Sequence, residues 1–73
     1  MISNETIKKR IQEAIKQSGI NQTTIAKAIG IKQQTIACYL SGKAMPALDT
    51  FAKLCKYLNE DANEILGIKD EEY

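Results

Sequence analysis

Two glutamines stand side by side in GIKQQTIACYLSGK, residues 30–43, as Gln33 and Gln34. A primary amide carries one acceptor and two donors. It can pair twice with a planar partner that offers both, and the major-groove edge of adenine, with N7 and its N6 amino group, is such a partner. Gln is also a good helix former, so from these residues alone a plain solvated helix surface is the favoured account of the pair. Cys38 lies one helical turn beyond Gln34. Its thiol is small and mainly apolar, which fits a thymine methyl or a merely tolerated small residue. Other chemistry is missing. The chain has no His, and Cys38 and Cys55 lack CxxC spacing. No metal-ligand cluster, glycine-rich phosphate loop or nucleophile with a base occurs, so neither enzyme activity nor a cofactor or metal is expected.

The glutamines act only if helices position them, and the apolar residues recur at helical spacing throughout. Ile7, Ile11, Ala14 and Ile15 predict a first helix from about Asn4 to Ser18, with Ser3 or Asn4 as its cap and Gly19 as its left-handed stop. Asn21 is placed to cap a second helix. Ile20 and Ile25 have the spacing of a hydrophobic staple, and Ile25, Ala26 and Ile29 form the buried face. Gly30 ends this helix after barely two turns, too short to persist in water without packed neighbours. A third helix is predicted from about Gln33 to Leu40. Ile36, Tyr39 and Leu40 point inward, and Gln33, Gln34, Ala37, Cys38 and Ser41 are left on the other side. Gly42 stops it. After Pro46 a fourth helix, about Leu48 to Leu58, buries a stripe of Leu48, Phe51, Leu54, Cys55 and Leu58. Beyond Asn59 a short last helix has Asp61 and Glu64 at capping-box spacing and Ile65, Leu66 and Ile68 as apolar surface. The charged tail KDEEY, 69–73, is expected to fray. The fold class is therefore all-α: five helices in one domain spanning 1–73, with no repeat or linker.

At 73 residues the chain buries only about 60% of its unfolded surface, so self-association would help it. Its net charge of +1 hides a lopsided distribution. Residues 1–43 hold seven basic and two acidic side chains, a balance of +5, and residues 44–73 hold three and seven, a balance of −4. A basic half suits a polyanion, although two ordinary solvated faces give the same counts. No apolar run is long enough for a membrane span, and MISNETIKKR has no signal-peptide core. Two lone cysteines fit a reducing, cytoplasmic setting.

The run INQTTIAKAIGIKQQTIACYLSGKAMP, Ile20 to Pro46, resembles the phage-repressor and Cro type of helix-turn-helix regulator. Gln22 opens the second helix, Gly30-Ile31 form the turn, Gln33-Gln34 open the third helix, and Ile36 anchors it. LDTFAKLCKYLNEDANEIL is similar to the family's fourth and fifth helices, so the resemblance covers roughly residues 5 to 67. It implies a lambda-repressor-like domain whose helix-turn-helix core spans about 21–41. In that docking mode the third helix enters the major groove of double-stranded DNA. Gln33 and Gln34 are then the leading base readers, with Cys38 on the same face. Lys32, Thr35, Ala37 and Ser41 flank it. Gln22 is implied to hold the DNA backbone at a helix start, with Asn21, Thr23 and Lys43 as further phosphate contacts. The implied function is a transcriptional regulator, a repressor acting as a homodimer through its C-terminal region, in the cytoplasm of a bacterium or under phage control. Antitoxins share this build and add a toxin partner. A protein-interaction module that kept the fold and lost DNA is the reading from a different class.

Three departures from the family pattern stand out. Lys32 occupies the capping position of the third helix, where Ser or Thr is usual, and cannot cap; this helix is expected to order further on DNA. Ile15 and Leu40 replace a buried Arg–Glu pair and are expected to meet in the core, an exchange that is often neutral or stabilising. Glu60 stands where Val is common, so the C-terminal surface is remodelled. Leu66, Ile68 and Tyr57, if exposed together, are the apolar patch expected to pair subunits.

Overall fold

A computed structural model describes residues 2–68. Five helices follow one another: α1 (Asn4–Ser18), α2 (Gln22–Ile29), α3 (Gln33–Ser41), α4 (Leu48–Leu58) and α5 (Ala62–Ile65). No strand occurs among the described residues. The tail 69–73 lies outside them.

Local chemistry accounts for these boundaries. The Ser3 hydroxyl accepts from the Thr6 N–H at 3.2 Å and starts α1. Asn21 Oδ1 accepts from the Thr24 N–H at 2.8 Å and starts α2. Gly30 stops α2: its own N–H and that of Ile31 both donate to the Ala26 carbonyl, at 2.9 and 3.0 Å. This closure needs a φ of 77° at residue 30. A Cβ there would meet nothing within 4 Å, so backbone conformation, and not space, selects glycine.

The helices pack α2 against α3 and α4, and α1 against α3, α4 and α5. Ile25 of α2 and Ile36 of α3 are wholly buried at the centre. Around them lie Ile11, Ala14 and Ile15 from α1, Ala26 and Ile29 from α2, Tyr39, Phe51, Leu54, Cys55 and Ile65. Cys55 is thus a core residue, as its place on the Phe51–Leu58 stripe predicts. Arg10 Nη1 donates to the Glu64 carbonyl at 2.7 Å and ties the far end of the chain to α1.

The structure corrects the expected stripe of α4. Leu48 is 82% exposed, and Leu58 is half-buried. Leu48 opens the helix, three residues before Phe51, and stands outside the core cluster that holds Phe51. The start of α5 differs too. Asp61 Oδ1 accepts from the Asn63 N–H at 2.9 Å, while the Glu64 N–H goes to the Asp61 carbonyl at 3.1 Å. The capping side chain therefore reaches two residues on rather than three. Of the expected subunit patch, Tyr57 and Ile68 are exposed, but Leu66 is half-buried against the core.

Candidate nucleic-acid interface

The outer face of α3 carries Gln33, Gln34 and Ser41 exposed, with Thr35, Ala37 and Cys38 half-buried between and beside them. Lys32 and Lys43 stand exposed at its two ends. Asn21 and Thr23, at the start of α2, are exposed, and Gln22 is half-buried. Tyr39 and Ile36 hold α3 down from beneath. Burial pushes the Tyr39 hydroxyl above its ordinary pKa, with Asp49 and Cys38 adding to the effect.

The start of α2 and the start of α3 are joined. Gln33 Nε2 donates to Gln22 Oε1 at 2.7 Å, across the turn between the helices. This bond uses one of the two amide hydrogens of Gln33. The second hydrogen and Oε1 stay available, and these are the donor and acceptor that adenine N7 and N6 require. Gln22 keeps its own NH2 group, two donors that suit a phosphate oxygen. Gln34 adds a second exposed amide beside the first.

One open cleft gathers several of these residues. It is lined by Gln22, Thr23, Asn21 and Gln33, with Ile15 and Leu40 at its floor and Lys16 from α1 on its rim. Ile15 is buried and Leu40 half-buried against the core. Both line the same cleft. Residue spacing does not mark Lys16 as part of this surface, because only the packing of α1 brings it here. Nor does spacing announce the Gln22–Gln33 bond, which joins two glutamines eleven positions apart across a glycine turn. Among the described residues, Lys16, Lys32 and Lys43 have no carboxylate partner. Their charge is free to act on an anion.

The ends of α3 are unequal. At its close, the Lys43 N–H and the Ser41 hydroxyl both donate to the Cys38 carbonyl, at 3.0 and 3.1 Å. At its start Lys32 is extended and makes no capping bond. The Thr35 N–H still finds the Lys32 carbonyl at 3.0 Å. The N–H groups of Gln33 and Gln34 precede any intrahelical acceptor, so they stay open to an anion at the helix start. The arrangement can therefore grip a phosphate at the start of each helix and present two amides between those grips.

The described residues hold no group of three or more metal-capable side chains, and no helix among them is long and apolar enough to cross a membrane. A helix-turn-helix family model matches residues 11–65. An uncharacterized HTH-type transcriptional regulator of Archaeoglobus fulgidus is 30% identical over 63 residues, 86% of this chain and 90% of that protein. No solved structure matches the chain significantly.

Proposed function

We infer the detailed function from one premise: this chain belongs to the helix-turn-helix family of DNA-binding transcriptional regulators. Within that family it is a repressor that binds a near-palindromic operator as a homodimer, in the cytoplasm where that DNA lies. Half-site centres stand about 34 Å apart, one turn of the duplex. α3 enters the major groove. Gln33 and Gln34 read base edges, and Cys38 faces the groove one turn further on. Asn21, Gln22, Thr23 and Lys43 hold phosphates. Lys32, Thr35, Ala37 and Ser41 border the read bases.

The observation that carries this reading is the bond from Gln33 to Gln22. A flexible surface glutamine loses rotamer freedom when it binds a base. Here the amide is already oriented, by a partner whose remaining donors suit the DNA backbone. Lys16 joins the phosphate contacts from the rim of the same cleft.

Selection of bound sequences from a random DNA pool at physiological salt tests the reading, followed by the same selection with Gln33→Ala and Gln34→Ala. The expected result is a palindromic motif with adenine at a read position. Each alanine should abolish preference at one or two positions per half-site, worth about 1–3 kcal/mol per lost contact. If wild type enriches no motif, base reading is wrong and a protein partner takes its place.

A further inference from the structure

A second open cleft, about 660 Å³ in volume, lies between the end of α2 and the second half of α4. Lys27, Lys53 and Lys56 line it, with Tyr57, Ala28 and Ile29. Residues 44–73 hold only three basic side chains against seven acidic ones, and two of those three meet Lys27 here. No carboxylate lines the cleft, and among the described residues none of its three ammonium groups has a salt-bridge partner. Asp49 is spaced to pair with Lys53 one turn on, yet no salt bridge joins them. We propose that this cleft seats an acidic segment of a partner protein, with carboxylates on the lysines and an apolar side chain against Tyr57. The proposal stands apart from base reading and does not need it.

Two of the lysines have a use in the free fold. Lys27 and Lys56 stand in the last turns of α2 and α4, where a cation suits the helix dipole. Lys53 stands mid-helix, one turn from Lys56, and like charges at that spacing repel. An anion in the cleft relieves that repulsion. The side-chain types select the kind of anion. A lone phosphate or a nucleic-acid backbone would use the charge alone. Tyr57 is 38% exposed in the same cleft, and Ala28 is exposed as well. A peptide matches both, because it carries carboxylates and apolar side chains along one strand, and the lysine stems can pack beside the latter. A second copy seated here about a two-fold axis would bring lysines toward lysines.

No residue of α3 lines the cleft, and it shares none with the cleft of Gln22 and Gln33. The partner and the DNA therefore claim different side chains, and the chain can hold both. A single exposed ion pair is weak. Three converging lysines on one acidic segment, with apolar contact added, give a salt-dependent grip suited to reversible docking.

The test offers the full chain a display library of random linear peptides at physiological salt. Selection on wild type should enrich peptides with clustered Asp or Glu beside a large apolar residue. The enriched peptide, synthesised, should bind the double variant Lys53→Glu, Lys56→Glu about tenfold or more weakly, and Tyr57→Ala several-fold more weakly. Its affinity for wild type should fall as salt rises. All three changes fall on exposed side chains, and circular dichroism checks that each variant keeps its helices. If charge reversal disturbs the fold, Lys53→Gln with Lys56→Gln carries the same comparison. No enrichment overturns the proposal, and so do peptides that bind the double variant as they bind wild type. An equal loss of affinity for duplex DNA would assign the lysines to the duplex and overturn it too. So would a self-association of wild type in sedimentation that the double variant abolishes, because the occupant would then be another copy.

Discussion

α2 and α3 are near twins in build and opposites at their starts. Each is about two turns long, each is pinned by one wholly buried isoleucine, and each ends on a left-handed glycine. Yet α2 begins under a side-chain cap from Asn21, whereas α3 begins at Lys32 with none. The start of α2 has its side-chain cap from within the chain. The helix that presents Gln33 and Gln34 is left open at the end where those residues stand. A cap on α3 would occupy an N–H group that an anion could use. The difference leaves the uncapped start of the motif at the face proposed to read bases.

The similarity can be broken first. Ile25→Ala and Ile36→Ala each remove a buried side chain at the centre, and each should cost about 2–5 kcal/mol in chemical denaturation. Losses of similar size would show that both helices depend on one core. A small loss for either would mean that its helix is held from elsewhere. The joint between the helices comes next. On operator DNA, Gln22→Ala and Gln33→Ala should each cost about 1–3 kcal/mol, and the double variant clearly less than their sum. Full additivity would sink the idea of a shared unit.

The starts themselves give smaller effects of opposite sign. Asn21→Ala should destabilise the free protein by about 1 kcal/mol, while Lys32→Ser should stabilise it by up to about 1 kcal/mol and weaken DNA binding. Hydrogen exchange sharpens this point. Amides from Gln33 to Ile36 should gain protection on operator DNA, more than those from Thr23 to Ala26. Equal protection of α3 with and without DNA would end the claim that binding completes it.

The smallest effect concerns pH. α3 buries a titrating group in Tyr39, and α2 buries none. Burial chiefly raises the pKa of Tyr39 above its ordinary 10.0, and burial with Glu60 and Asp61 raises Cys55 above 9.0. Both groups hold their protons more tightly folded than unfolded. Their contribution is therefore complete below about pH 9 and is lost as pH rises through the raised values. Stability should fall on the alkaline side, and less steeply beyond pH 10 in Tyr39→Phe than in wild type. Parallel curves would exclude Tyr39 as a source.

Much of this fold was legible because its signals are local. Asn21 caps, Gly30 and Gly42 stop, and the apolar spacing of three and four sets the inward faces. These depend on a few neighbouring residues, so α1, α2 and α4 begin and end where the residue types say. Leu48 was misread for the same reason. Spacing reports the direction of a side chain but not whether another helix extends far enough to cover it. The outer face of α3 could be read from Ile36 and Tyr39 by subtraction. Lys16 and the Gln22–Gln33 bond could not, because both depend on how separate helices meet. Arg10 at the Glu64 carbonyl is another such case: its acceptor is backbone, which no residue type announces.

The bond between Gln22 and Gln33 also limits how this surface could be retargeted. A library that randomises position 33 alone keeps a partner built for an amide, and most replacements would leave Gln22 Oε1 without its donor. If Gln33 reads a base as proposed, positions 22 and 33 act as one letter of the recognition code, written with two residues on two helices. New specificities should emerge when both positions vary together, and Gln34 should accept change more independently.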